Sequence, residues 1–234
     1  MIDPGHGGHD PGAVNEMTGL KEKDVVLAVS LLLKDYLNKY ECSPVVTRSS
    51  DLFLGLGERS EKANKLKADA FISIHCNSAS NHLARGFEVF TTRGETDADR
   101  LATISFQEFA EEFPGNTPRP DNSDGDPDKE ASFSVLRRTD CPAILFELEF
   151  IHNRNGSAFL SSGDSQVRMA KALGKALVKY FSLKPKGDID EGELPETSLQ
   201  EKYDRAVKDL VSLTAKYNAL LRDLGELKDD YTQQ

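Results

Sequence analysis

The chain has 234 residues, 38% hydrophobic and 29% charged, with a formal net charge of −10. That is enough for one domain with its own core plus an appendage. An acidic chain without a basic cluster argues against a nucleic-acid partner, and no apolar run approaches the roughly 18–20 residues of a membrane span.

Three scattered cysteines, Cys42, Cys76 and Cys141, make no disulfide framework and read as packed or idle thiols in a reducing compartment. The opening Met1-Ile2-Asp3-Pro4-Gly5 carries neither the basic nor the apolar part of a secretory leader. Synthesis in the cytoplasm without a leader, or earlier removal of one, both fit.

In chain order, a glycine-rich loop over residues 4–21 precedes a helix over 22–40, where Val25, Val29, Leu32, Leu33, Tyr36 and Leu37 recur at helical spacing after an acidic start. Residues 44–47 read as a short strand and 57–67 as a polar helix. Residues 70–74 read as a buried strand and 86–91 as another. A helix over 97–113 leads to residues 114–128, whose prolines and aspartates read as a solvated, disordered connector. Ala143-Ile144-Leu145-Phe146 is an apolar strand, and a helix over 164–181 closes the domain. Strands alternating with helices predict a single α/β layered domain over residues 1–183, with a mostly parallel or mixed central sheet flanked by helices.

Residues 184–198 are acidic and rich in proline and glycine, which predicts a linker. Beyond it Leu199, Tyr203, Ala206, Leu210, Leu213, Tyr217, Leu220, Leu224, Leu227 and Tyr231 alternate at spacings of four and three. This heptad stripe predicts a C-terminal coiled-coil helix over 199–234 and self-association of the chain through it.

His6, His75 and Glu147 each follow a short apolar strand, and sites in open α/β sheets form at the carboxyl ends of strands. Two imidazoles and a carboxylate arriving together make an open metal site, with zinc as the natural ion. Glu22 by itself reads as an acid placed favourably at a helix N-terminus. His9 reads as exposed, His82 and His152 as loop residues, and strand alternation turns Cys76 away from His75.

The residues also carry a family resemblance. Ile2-Asp3-Pro4-Gly5-His6-Gly7-Gly8, Asp10-Pro11-Gly12-Ala13, Leu20-Lys21-Glu22-Lys23-Asp24, Thr47-Arg48, Glu58-Arg59 with Ala63-Asn64, Ser73-Ile74-His75-Cys76-Asn77 and Gly86-Phe87-Glu88 occur in order. Val135-Leu136-Arg137, Pro142-Ala143-Ile144-Leu145-Phe146-Glu147 and Phe150-Ile151-His152-Asn153 follow. Together they resemble the zinc-dependent N-acetylmuramoyl-L-alanine amidases of the third amidase family. The resemblance implies Zn2+ bound by His6, Glu22 and His75, a catalytic carboxylate at Glu147, and peptidoglycan as substrate, cut between the lactyl group of N-acetylmuramic acid and L-alanine. Asn77, Arg59 and Asn64 become candidates for substrate binding or for support of the site. Glu149 stands where the family has glycine, and alternation places it on the same face as Glu147, so periodicity does not separate the two. A phage or prophage lysin acting on the cell wall is the expected role. A secreted amidase whose leader was removed and a non-catalytic muropeptide-binding scaffold built on the coiled coil are the alternatives.

Overall fold

The computed structural model describes residues 1–187; the heptad stripe and residues 188–198 of the linker lie outside the described residues. In chain order the elements are β1 (Ile2–Pro4), α1 (Glu22–Leu37), α2 (Leu56–Lys65), β2 (Phe71–Asn77), β3 (Glu88–Thr91), α3 (Asp97–Glu112), β4 (Lys129–Glu130), α4 (Ser134–Arg137), β5 (Ala143–Phe150), α5 (Arg154–Ser161) and α6 (Gly163–Phe181). The five strands form one mixed sheet in the order β1-β2-β5-β3-β4. β1, β2 and β5 are parallel, and β3 runs antiparallel to β5. The α/β layered domain expected from the sequence is the observed one.

Strand alternation divides the core between two faces. Ile72, Ile74, Cys76, Ile144, Phe146 and Leu148 pack against Val25, Val29 and Leu33 of α1, Leu101 and Phe109 of α3, and Met169 and Leu173 of α6. Each large side chain removed from water there contributes about 1.5–3 kcal/mol. Phe71, Ala143 and Leu145 face the other way, against Ala63 of α2 and Val135 and Leu136 of α4. His75 and Glu147 continue this second face, where the strands outrun their helical cover.

Residues 44–47 do not form a strand. Ile2 donates to the carbonyl of Val45 and accepts from Thr47, and the pairing stops at one bridge. Pro44 has no N–H to give and Pro4 ends β1, so the ladder cannot extend. α4 and α5 were not expected. α5 starts where the Asn153 side chain accepts from the N–H groups of Asn155 and Gly156, and such a short helix carries too few apolar repeats to be read from periodicity.

Residues 114–127 are mostly exposed but are not a disordered connector. Phe87 N–H donates to Thr117 and Arg119 N–H donates back to Phe87. Gly86, at φ 111°, makes this close approach possible, because any Cβ there would collide with the carbonyl of Thr117. The loop ends in Asp128, buried against Thr91, which donates to one carboxylate oxygen while the other has no partner. Burial, then the neighbouring Asp126, push the Asp128 carboxyl up to about 7. A raised carboxyl destabilises the fold fully above its folded pKa, less as pH falls through it, and not at all below its ordinary value near 3.8. Asp128→Asn should therefore raise Tm at pH 8, by about 2–4 °C for each kcal/mol relieved in a chain this size. The gain should vanish near pH 4 in thermal melts across that range.

Candidate metal centre

After Pro4 the chain leaves the sheet in a tight loop. Gly5 N–H donates to Ile74, and Gly7 and Asp10 exchange backbone hydrogen bonds. Two buried arginines consume the carbonyls of this turn. Arg48 donates to Pro4 and Gly5, and Arg59 to Pro4, His6 and the carboxylate of Asp3, which is itself fully buried and also accepts from Thr47 and Ser73. His6 is thereby held in the left-handed region at φ 57° with its imidazole turned inward. Its Nδ1 lies 2.8 Å from Asp10, which leaves Nε2 as the free donor atom.

Glu22 is the first residue of α1 and is buried. Its Oε1 lies 3.1 Å from His6 Nε2 and 3.0 Å from His75 Nδ1, and also accepts from the N–H of Cys76. Its Oε2 accepts from Ala13 N–H at 2.9 Å. Gly12 is required beside it, since a Cβ there would sit 2.6 Å from Glu22 Oε2 and 2.7 Å from the His6 ring. Burial opposes ionisation of Glu22, but the hydrogen bonds and charges of His6 and His75 outweigh it and hold the carboxyl well below the usual range.

The three residues present one ligand atom each, all within 4.8 Å of one another. Four-coordinate zinc with bonds of about 2.0–2.1 Å separates its ligand atoms by about 3.3 Å, so the two imidazoles and the carboxylate fit that ion in chemistry and in spacing. The strand ends by themselves had pointed to Glu147 as the third member and the resemblance to Glu22; Glu22 is the one in the cluster, brought there by the packing of α1 on the sheet.

Glu147 pairs with His75 in the register of β2 and β5. Its Oε2 is buried without a hydrogen-bond partner. Burial first, then the charges of Glu22 and Glu88, push its carboxyl well above the ordinary carboxylate range. Glu149 is placed quite differently. Between His75 and Asn77 the register slips, so that Asn77 pairs with Phe150 and β5 carries one extra residue. This bulge breaks the alternation that put the two glutamates on one face. Glu149 accepts from the N–H groups of Gly86 (2.6 Å) and Phe150 (2.9 Å) and from Arg85 (3.1 Å), and both its oxygens are occupied.

Of the other candidates, Asn77 accepts from Ser78 N–H with its side chain and from Ile151 N–H with its carbonyl, closing the turn after β2. Asn64 bridges Arg138 and Asp140, on the α4 side of the domain. Arg59 is only 3% exposed and its bonds are spent on the loop beneath His6. Its removal strands a buried Asp3 charge, so Arg59→Ala should cost about 3–5 kcal/mol of unfolding free energy, read from denaturant titrations. Cys76 packs into the core, and burial pushes its thiol well up. His9 is exposed against the Phe53 ring, and His82 meets His152 edge to face. Arg48 and Asp10 were passed over as individual residues, because a buried arginine clamp and a carboxylate behind a histidine have no signature in local sequence.

The profile of the third amidase family, N-acetylmuramoyl-L-alanine amidase, matches residues 1–179. The chain belongs to the N-acetylmuramoyl-L-alanine amidase family. Among relatives of this amidase domain, an endolysin of Bacillus phage SPP1 is 33% identical over 186 residues, covering 79% of this chain and 66% of that protein. The N-acetylmuramoyl-L-alanine amidase LytC of Bacillus subtilis is 32% identical, covering 77% of this chain and 35% of its own. The chain therefore spans about two thirds or less of these relatives. The catalytic domain of CwlV, an N-acetylmuramoyl-L-alanine amidase of Bacillus (Paenibacillus) polymyxa var. colistinus, superposes with a TM-score of 0.70 at 33% identity, over 78% of this chain and 97% of that one. An N-acetylmuramoyl-L-alanine amidase of Clostridium difficile 630 gives 0.71 at 29% identity, over 77% and 95%.

Proposed function

We propose that this domain is a peptidoglycan hydrolase that cleaves the amide between the lactyl group of N-acetylmuramic acid and L-alanine of the stem peptide, with zinc held by His6, Glu22 and His75. The observation that carries the reading is the convergence of those three ligand atoms beside Glu147, whose inner oxygen has no partner. When bound, zinc supplies Lewis acidity, acidifying water and polarising an amide carbonyl. Glu147 Oε2 accepts the proton of the attacking water and returns it to the leaving nitrogen of L-alanine. Asp10 accepts a hydrogen bond from Nδ1–H of His6 and so keeps the Nε2 lone pair turned inward. The ionised Glu22, anchored by two backbone N–H groups, holds one fixed orientation between the imidazoles.

The phage endolysin among the relatives supports a lytic role at the cell wall. No described helix is long and apolar enough to cross a membrane. The heptad stripe over 199–231 supports a homo-oligomer, which would present several domains to one wall and raise avidity. Light scattering should then give a mass above that of one chain; a strict monomer removes this part of the proposal.

The deciding experiment measures bound zinc and follows purified peptidoglycan for new L-alanine amino termini. Release of such stem peptides, abolished by a chelator and restored by zinc, is the expected result. Stoichiometric zinc with muropeptide binding but no new amino termini would instead identify a binding protein.

A further inference from the structure

Two arginines are held by glutamates that neighbour Glu147 in the sheet, and each has hydrogen-bonding capacity that the described residues do not use. Glu88 lies directly across from Glu147 in the β3–β5 pairing. Its buried carboxylate takes Arg119 Nε on one oxygen and Lys129 Nζ, at 2.8 Å, on the other. Past Glu147, the buried Glu149 takes Arg85 Nη2. Gly86 joins the two pairs, because a Cβ there would lie 3.1 Å from Arg119 Cδ. Arg119 thus runs against the backbone at the residue that follows Arg85.

Each guanidinium is tethered at one end. Arg119 is held through Nε and by the Phe150 ring, 5.1 Å away, and its two Nη groups have no hydrogen-bond partner among the described residues. Arg85 is held through Nη2, while its Nε is buried and unpartnered. Their side chains remain 39% and 33% exposed. A guanidinium fixed by a buried acid and an aromatic face, with its outer fork open, is preorganised for a carboxylate.

We infer that Arg119, together with Arg85, forms an anion subsite of the candidate active site that takes a free carboxylate of the stem peptide. The inference rests on the amidase reading. In that substrate the lactyl carboxyl is tied up in the scissile amide, so the free carboxylates belong to the peptide and the corner reads the leaving-group side. Its counterpart with the carboxylate converted to a carboxamide offers no charge to the fork.

The test compares a soluble muropeptide bearing free stem carboxylates with its carboxamide form, on the zinc-loaded full chain. The wild type should show a KM roughly tenfold or more lower for the carboxylate form, as a charge-assisted pair predicts. Arg119→Gln should raise that KM toward the carboxamide value, acting on KM rather than kcat, and Arg119→Lys should recover part of the preference. A wild type without preference overturns the inference. So does an Arg119→Gln variant that weakens both forms equally or lowers Tm with the preference intact, since a loop anchor alone would do that. If the wild type cleaves neither form, the amidase reading fails by itself. Calorimetry with the free stem peptide then decides the subsite: binding of the carboxylate form, lost in Arg119→Gln, supports it, and equal binding of both forms overturns it.

Discussion

Glu147→Gln should leave zinc bound and lower kcat by about two to four orders of magnitude, the usual worth of a positioned general base. The substitution keeps the size and most of the shape of the side chain, so β5 and its pairing with His75 have no reason to move. What it removes is the capacity of Oε2 to take a proton. Glu149→Gln should behave in the opposite way. That carboxylate accepts from two backbone N–H groups and Arg85, so an amide in its place turns an acceptor into a donor facing donors, and stability falls while the folded fraction keeps its kcat. The decisive measurement is kcat per bound zinc for the two variants in parallel. A dead Glu149→Gln beside an active Glu147→Gln would reverse the assignment.

His75→Ala should lose stoichiometric zinc and hydrolysis together. His75 gives one of the three ligand atoms in the cluster, and the remaining His6 and Glu22 pair leaves zinc one protein ligand short. The loss is visible without any substrate. A metal that binds the folded state alone raises Tm by mass action, so added zinc should shift the melting curve of the wild type and leave that of His75→Ala unmoved. Because the imidazoles must be neutral to bind metal, the wild-type shift should shrink as the pH is lowered. Burial disfavours charge on His6, but its hydrogen bonds and charge interactions with Glu22, then Asp10, outweigh it and raise its pKa, so protons compete for this site. A His75→Ala protein with full zinc occupancy and intact hydrolysis would remove that residue from the centre.

Much of this protein was legible in its sequence because the relevant signals are local. The periodicity of Val25, Val29 and Leu33 predicts α1, and the apolar runs before His75 and Glu147 predict β2 and β5. Their alternation turns Cys76 into the core and leaves His75 on the opposite face. Periodicity works there because each of these segments buries one face against a single layer. Ordered motifs carried the family resemblance, and the matched profile bears it out over residues 1–179.

Only the tertiary structure decided the rest. Read from the strands alone, the third metal ligand was Glu147, and only the resemblance named Glu22; the packing of α1 is what brings Glu22 between the two imidazoles, across 53 residues of chain to His75. Alternation could not separate Glu147 from Glu149, because the difference lies in a bulge set by pairing with β2, and a bulge has no mark on the strand that carries it. The composition of residues 114–128 predicted disorder, yet Gly86 lets that loop close on Phe87 and carry Arg119 to Glu88. Sequence pattern reports which face of an element is apolar. Which carboxylate meets a histidine, and which meets an arginine, is fixed by contacts between segments far apart in the chain, where local pattern holds no information.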